Sequence, residues 1–249
     1  MTAKKDKKQT QATAGGNIYA FLRKKIIELQ IKPGEFINVN ELSEFLNVSR
    51  SPVRDALIQL ESEGLVTTAP KKGTIISKID IHRVKDERFL RSCIEEKIAV
   101  EFINLHNEKH IAQLKDIIEL QKKAADQKDF REFLRFDDSF HAVFYEAADR
   151  LFCLDVINNM SGHYSRVRLL ALSEPEILKQ TLDQHEEIIA LTMKKDSRRL
   201  SRLVLSHIAE KGAEVSMLTD KYPDLFTGII EAPKEKKNIW ERDFLKPRL

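Results

Sequence analysis

The chain has 249 residues, of which 42% are hydrophobic and 33% charged, with only eight glycines and seven prolines. This composition is typical of a soluble, helix-rich globular protein of one or two domains and argues against sandwiches, barrels and glycine-rich nucleotide-binding folds. Two cysteines, no apolar run of the roughly 18 residues that span a membrane, and no secretory leader predict a reducing, cytoplasmic location and no membrane partner.

The formal net charge of +3 is concentrated near the N-terminus. Residues 1–16 contain four lysines and one aspartate, whereas residues 81–249 contain 29 basic and 30 acidic side chains. A basic front end permits contact with nucleic acid. Residues 1–16 are polar and without periodicity, which predicts a disordered basic tail, either a solubilising tail or an arm that contacts phosphate.

Residues 17–46 show two runs of helical periodicity. The first begins at Ile18 and stops before Pro33-Gly34, a turn-forming pair. The second follows Asn38, which can cap a helix through its side chain. Asn47 stands in the next turn, where the chain needs a left-handed residue and where asparagine is tolerated.

A third helix is predicted to begin with Ser51 as its cap and Pro52 as its first helical residue, and to end near Gly64. The period then changes, because two β-rich runs flank a basic turn at residues 69–73 and predict a hairpin. Three helices followed by a two-stranded basic wing form a winged helix-turn-helix. We therefore predict this fold for residues 17–79.

The start of the third helix carries the residues that we expect to contact DNA. In a helix-turn-helix the second helix of the motif enters the major groove with its N-terminus first. Arg50 and Arg54 lie four residues apart and project from one face, which suits guanine or phosphate as well as a solvated helix edge. Serine hydroxyls at the helix start suit phosphate, and a basic wing tip suits the minor groove. The predicted DNA-binding residues are Ser49, Arg50, Ser51, Pro52, Arg54, Lys71, Lys72 and Gly73.

Residues 82–219 are helical in pattern throughout. Short connections predict antiparallel neighbours, and hence an all-α bundle that starts at residue 80. Ser173 and Glu176 form a capping-box pattern. No structure is predicted for residues 220–249. The six expected helices lie near residues 82–105, 108–126, 129–148, 151–172, 174–194 and 196–219.

Three histidines and one aspartate of this bundle can meet at one metal ion. Asp137 and His141 lie one helical turn apart and can point inward together. His185 and His207 would be roughly 33 Å apart on one continuous helix, too far to share an ion. A chain reversal at Asp196, midway between them, would bring both imidazoles to similar height. Such a donor set suits Zn²⁺, Ni²⁺, Co²⁺ or Mn²⁺ and leaves positions open for a ligand, although each histidine alone is more often a core residue.

Three further residues are candidates for binding an effector. Arg91 can pair either with an effector carboxylate or with Glu95, its neighbour one turn along the helix. His163 and Arg166 either line a pocket in the bundle or belong to a polar helix face.

Residues 18–79 resemble the DNA-binding domain of the GntR family of bacterial transcription regulators. The matching segments, in order, are Ile31–Gly34, Glu41–Ser43, Val48–Leu57, Leu60-Glu61, Glu63–Val66 and Gly73. The departures are mild: Asn47, Ser43 and Asp55 stand where the family usually has Gly, Ala and Glu. None of them removes a predicted DNA contact.

Residues 82–219 resemble the FCD domain, the all-helical ligand-binding domain of the FadR-type branch of that family. The matching positions are Asp137-x-x-x-His141, Gln184-His185, Asp196, Ser206-His207 and Arg91-x-x-x-Glu95. The resemblance implies a bound divalent metal at the aspartate and the three histidines. It also implies organic-acid effectors, which many members of the family bind.

The residues and the resemblance together predict a ligand-responsive transcription regulator. It would bind double-stranded operator DNA as a homodimer, with a small carboxylic acid completing the coordination of the metal. Two alternatives stay open. A metal-dependent enzyme would need a second carboxylate or histidine as a base beside the metal, and we can nominate none. A regulator whose metal is structural, or is itself the signal, would use the same residues.

Overall fold

A computed structural model describes residues 16–69, 73–209 and 212–227. The predicted tail over residues 1–16 lies outside these ranges except for its last residue. The wing lysines Lys71 and Lys72 and residues 228–249 also lie outside the described ranges. The predicted fold class is confirmed: a winged helix-turn-helix is followed by a helical domain.

The N-terminal part contains the three predicted helices and the wing. The strands join in one antiparallel sheet of order β1-β3-β2, in which Val66 faces Ile76 and Phe36 faces Ile75. The elements are α1, described over residues 16–27, β1 (Phe36–Ile37), α2 (Val39–Phe45), α3 (Arg50–Ser62), β2 (Val66–Ala69) and β3 (Gly73–Ile76).

Strand β1 was not predicted, and the turn at residues 33–34 explains why it forms. Gly34 has a φ of +87°, and its N–H donates to Ile76 O at 2.8 Å. Ile76 N–H in turn donates to Glu35 O at 2.9 Å, so the chain leaves the turn alongside β3. Strand β1 has only two residues, too few to show an alternating pattern.

Helix α3 begins earlier than predicted. Its N-cap is Ser49, with extended backbone and no side-chain hydrogen bond, so Ser51 is not the cap and Pro52 is not the first helical residue. The first turn of a helix contains N–H groups without intrahelical partners, and proline is tolerated at any of them. Pro52 therefore marks the first turn but does not fix where the helix begins. Asn47, as predicted, is left-handed, with a φ of +51°.

A short linker joins the two parts and pairs with the C-terminal region. Strand β4 (Ile79–Asp80) runs parallel to β5 (Phe226–Thr227), and Asp80 caps the next helix by accepting from His82 N–H at 2.8 Å. Part of the region without a predicted structure is therefore ordered. It includes a 3-10 turn (Pro223–Leu225) and β5.

The helical domain contains a break at Ser161 that was not predicted from the sequence, and residues 210–211, within the last predicted helix, lie outside the described ranges. The predicted helix over 151–172 is interrupted at Ser161, which has non-helical backbone angles, and the helix over 196–219 is described as two segments. The helices are α4 (Ile81–Leu105), α5 (Glu108–Asp126), α6 (Phe130–Ala147), α7 (Leu151–Met160), α8 (Gly162–Ala171), α9 (Pro175–Met193), α10 (Ser197–Ala209) and α11 (Gly212–Lys221).

The residue that follows the break at Ser161 is tightly packed. An added Cβ at Gly162 would lie 2.7 Å from Leu65, so the start of α8 approaches the wing closely. The predicted capping box at the start of α9 is wrong. Its N-cap is Glu174, and the Ser173 hydroxyl instead donates to Leu170 O at 2.7 Å, at the end of the preceding helix. Within the described ranges, no helix has both the length and the apolar character needed to cross a membrane.

Candidate metal centre and DNA-reading surface

The aspartate and the three histidines predicted to hold a metal come together inside the helical domain. Helix α6 provides Asp137 and His141, α9 provides His185, and α10 provides His207. One ligand atom from each residue lies within 4.8 Å of the others, and all four side chains are buried. The chain reverses between α9 and α10 at residues 194–196, where the sequence predicted it, and this reversal brings the last two histidines together.

Each imidazole has a side-chain oxygen beside its Nδ1 atom: His185 and His207 are hydrogen-bonded to glutamines, and His141 forms an ion-pair contact with Glu95. Because the partner is a carboxylate or an amide oxygen, Nδ1 carries the proton and Nε2 is left as the basic nitrogen. This arrangement fixes the orientation of a histidine that ligates a metal through Nε2. The three pairs are His141 with Glu95 Oε2 at 2.7 Å, His185 with Gln121 Oε1 at 2.9 Å and His207 with Gln184 Oε1 at 2.8 Å.

A buried polar atom of the cluster without a partner indicates that the site fits a metal ion. His141 Nε2 is buried and has no hydrogen-bond partner among the described residues. Its nearest carboxylate oxygen, Asp137 Oδ2, is 4.0 Å away. Such an atom costs free energy unless a cation or another partner binds it. Three imidazoles and a carboxylate are the donor set that borderline divalent ions prefer.

The part-buried Arg168 stabilises Asp137, the acidic group of the cluster. Burial alone would raise the pKa of Asp137, but Arg168 and His185 hold it well below its usual range. Arg168 forms an ion pair with Asp137, and its Nη1 lies 2.8 Å from Asp138 Oδ1. These contacts keep Asp137 ionised, as a metal ligand must be.

Glu95 is a second buried carboxylate in this network. Burial would raise its pKa, whereas Arg91 and His141 lower it to about 2. The ion pair between Arg91 and Glu95 was one of the two roles considered for Arg91.

Two cavities that adjoin the cluster are also lined by Arg91 and Arg168. The smaller, of about 30 Å³, is lined by Asp137, Arg168 and His207 and has room for about two water molecules. The larger is a cleft of about 510 Å³ between α1 and the helical domain, and it reaches His141. Arg168 was missed as a site residue, since its sequence neighbours do not show that it faces Asp137.

His163 and Arg166 lie elsewhere, where α8 meets the linker and the wing. His163 Nδ1 accepts from Asp80 N–H at 2.9 Å, so its Nε2–H donates to Gly64 O at 3.2 Å. Arg166 donates to Ser77 O at 2.7 Å. Neither residue lines the two cavities at the metal cluster. The two side chains instead connect the helical domain to the winged-helix part. We call this contact region of His163, Arg166, Asp80, Gly64 and Ser77 the junction.

The junction makes a pH-dependent contribution to stability. Burial, together with Arg166 and Arg83, lowers the pKa of His163 from 6.5 to about 3. The folded state then holds fewer protons than the unfolded chain, so this contribution is present above pH 6.5 and is lost as the pH falls toward 3. We expect the free energy of unfolding of the His163→Asn variant to fall less steeply with decreasing pH across that interval. Its slope should be smaller than that of the wild type by up to about 1.4 kcal/mol per pH unit. Urea unfolding of both proteins measures this, and identical slopes would contradict it.

Gly64 provides a second test of the junction. Its φ is +75°, and an added Cβ would lie 3.2 Å from Arg83 Nη1 and 3.3 Å from His163 Nε2. Gly34 also has a positive φ, of +87°, but nothing lies within 4 Å of its Cβ position. We expect Gly34→Ala to cost about 1 kcal/mol from the backbone alone, and Gly64→Ala to cost roughly twice as much because of the contacts. Thermal unfolding compares the two variants. Equal losses would contradict the prediction, because the side chains of Arg83 and His163 would then move aside at no cost.

The predicted DNA-binding residues that the structure describes lie on the exposed start of α3 and at the wing. Ser49, Arg50, Ser51 and Arg54 are exposed. Pro52 is buried in the core of the winged-helix part, so its side chain supports the helix and does not face outward. Gly73 has a φ of +98°, with an added Cβ 3.4 Å from Ile37 O, and is thus required by the start of β3.

Comparisons with known proteins agree with this architecture. The profile described as "Bacterial regulatory proteins, gntR family" matches residues 15–76, and that of the FCD domain matches residues 88–210. The HTH-type transcriptional repressor RspR of Escherichia coli is 32% identical over 213 residues, which cover 84% of this chain and 92% of RspR. The gluconate operon transcriptional repressor of Bacillus subtilis is 25% identical over 192 residues, 75% of this chain and 79% of the repressor.

The fold is also shared with a solved structure. Escherichia coli McbR/YncC has a TM-score of 0.70 and 16% sequence identity, with 84% of this chain and 98% of that chain covered. The families and relatives are transcription regulators, a class of proteins that are not enzymes, so the enzyme alternative is set aside. The chain belongs to the GntR family of bacterial transcription regulators and carries an FCD domain.

Proposed function

We propose that this regulator holds a divalent metal ion in its FCD domain and responds there to a small carboxylic acid. The observation that carries the proposal is the buried cluster of Asp137, His141, His185 and His207 beside the buried Arg91 and the part-buried Arg168. Residues 17–79 would bind DNA, and residues 80–219 would bind the effector and form the dimer. The regulator would act in the bacterial cytoplasm, where the DNA lies.

The metal ion would be Zn²⁺, Ni²⁺, Co²⁺ or Mn²⁺, held by the aspartate and the three histidines. When bound, it would supply a Lewis-acidic centre to which oxygen atoms of an effector coordinate. The chain's own residues prepare the site. Gln121, Gln184 and Glu95 orient the imidazoles, and Arg168 keeps Asp137 ionised.

The charges beside the cluster favour a carboxylate as the effector. Arg91 and Arg168 line both adjoining cavities, and arginine pairs with carboxylates through two parallel hydrogen bonds. To bind an effector, these arginines would exchange part of their contacts with Glu95 and Asp138. The relative named for the gluconate operon is named after genes for a carboxylic acid, which agrees with this class.

Operator binding would use two copies of the chain. Helix-turn-helix proteins read two half-sites with a two-fold dimer, and Arg50 and Arg54 at the start of α3 would enter the major groove. The winged-helix parts of the two protomers can be arranged in more than one way. The effector changes DNA affinity only if it binds one of these arrangements more tightly than another.

The small cavity beside His207 favours a second candidate role for the metal. With room for about two waters, it admits no organic acid as it stands, which suits a purely structural ion or a metal that is itself the signal.

An operator-binding titration separates these roles. Protein stripped of metal by a chelator, then reloaded with zinc, nickel, cobalt or manganese, is titrated with operator fragments in the presence and absence of organic acids. A change in affinity caused by an acid and dependent on metal supports the proposal. Sensitivity to metal alone supports the second role, and affinity that ignores both metal and acids overturns the coupling.

A further inference from the structure

The cleft of about 510 Å³ has one wall on each part of the protein. Tyr19, Arg23 and Lys24 of α1 form the wall that belongs to the winged-helix part. Helix α6 of the FCD domain provides much of the opposite wall. The volume lies within the range of about 300–1,000 Å³ that is typical of small-molecule sites. The cleft is therefore large enough for a ligand, whereas the cavity beside His207 is not.

The cleft is elongated along α6. Its lining residues on that helix begin at Arg131 and end at His141, ten positions later. A helix rises 1.5 Å per residue, so the cleft follows α6 for about 15 Å. Arg131 marks the outer end, ten residues from His141. Lys24 lies near it because both contact Glu28: Arg131 Nε donates to Glu28 O at 3.1 Å, and Lys24 Nζ is 3.7 Å from Glu28 Oε1. His141 marks the inner end, at the metal cluster.

Charge and polarity vary along the cleft. Its lining includes six arginine or lysine side chains and three acidic ones, so its net charge is positive. Arg91 and Arg168 lie at the inner end with His141, and Lys24 and Arg131 lie at the outer end. Leu134, Leu154 and Ile157 also line the cleft and provide apolar surface.

We propose that the cleft binds an elongated dianion whose two acidic groups are joined by an apolar chain. One carboxylate lies at Arg91 and Arg168 beside the metal cluster, and the second acidic group lies at Lys24, with Arg131 close by. The inference rests on the proposed function and specifies its effector class. The ligand is long, and it touches the DNA-binding part directly.

Helix α1 is placed to transmit such contact to DNA. It is tied to the FCD domain by the bond from Arg131 to Glu28 O and by a hydrogen bond from Arg23 to Asn158 O. On its other face, Leu22 and Ile26 belong to the same buried cluster as Leu57 of α3. A ligand that binds Lys24 therefore favours one position of α1, and hence of α3, over others. A short acid held only by the FCD domain makes no contact with Lys24.

The test uses straight-chain dicarboxylates from succinate to sebacate as probes. Calorimetry measures their affinity for the metal-loaded full chain and for two variants, Lys24→Gln and Lys25→Gln. Lys25 is the matched control, since it is the next residue on α1, lies outside the cleft lining and contacts Gln30. We expect affinity to rise with chain length to an optimum. Lys24→Gln should lower affinity roughly fivefold for the optimal acid and leave succinate unchanged, while Lys25→Gln matches the wild type.

Three outcomes would overturn the inference: affinity that is independent of length, equal effects of the two variants, or no binding by any dicarboxylate. Metal-dependent binding that ignores length leaves the proposed function standing and removes only the elongated ligand. Length-dependent binding that persists without metal supports the cleft and contradicts the metal-centred part of the proposed function.

Discussion

Replacing Asp137 with asparagine should lower the free energy of unfolding by about 3 kcal/mol or more and prevent metal binding. Asp137 is buried between Arg168 on one side and His185 on the other, with its Oδ1 atom 3.3 Å from His185 Nε2. The substitution removes the buried carboxylate partner of Arg168, which keeps only its contact with the exposed Asp138, and it removes the only carboxylate of the proposed donor set. Urea unfolding in excess chelator measures the electrostatic loss, and unfolding with added zinc measures the loss of metal-dependent stabilisation.

Asp138 provides the matched control for this variant. It contacts the same arginine, with Oδ1 2.8 Å from Arg168 Nη1, but its side chain is 51% exposed and it is outside the proposed donor set. We expect Asp138→Asn to cost less than about 1 kcal/mol and to leave metal binding intact. Equal losses from the two substitutions would contradict the special position assigned to Asp137.

Replacing Arg54 with alanine should weaken binding to the selected operator at least about tenfold, with little effect on stability. The side chain is exposed one turn into α3, so its removal creates no cavity. A bidentate contact between arginine and guanine contributes about 1–3 kcal/mol of discrimination, and a dimer would lose one contact in each half-site. The operator is first selected from a random-sequence library, and fluorescence anisotropy then compares the selected and unselected sequences.

Arg202 of α10 is the control for this prediction, since it is exposed and lies in the FCD domain. The variant Arg202→Ala should bind the operator as the wild type does. If Arg54→Ala kept full affinity and sequence preference, α3 would not read bases through this residue. A uniform loss across all sequences would instead make Arg54 a phosphate contact.

The winged helix-turn-helix was predictable because its signals are local. The Pro33-Gly34 turn, the left-handed Asn47 and the basic hairpin each act within a few residues. Strands β1, β4 and β5 were missed because two-residue strands carry no period, and their partners lie far away in the sequence. The break at Ser161 was also missed, and beside it Gly162 packs against Leu65, far away in the sequence.

The four donor residues of the candidate metal site were predictable from the sequence, but the residues around them were not. The spacing of Asp137 and His141 and the reversal between α9 and α10 are visible in the sequence, and the structure brings the four residues together. The residues that orient the site were not visible. Gln121 comes from α5, and Arg168 differs from Arg166 only by a rotation of roughly 200° around α8. That rotation directs one arginine to Asp137 and the other to Ser77 O.

The most direct test of the metal-centred account is the metal content of untagged protein. Elemental mass spectrometry would compare the wild type with His141→Ala. The variant lacks the imidazole whose Nε2 atom is buried in the cluster without a hydrogen-bond partner. We predict about one divalent ion per chain in the wild type and none in the variant. A wild-type protein that binds no ion, even after zinc, nickel, cobalt and manganese have been offered, would contradict the account, and the assignment to the GntR family would stand without it.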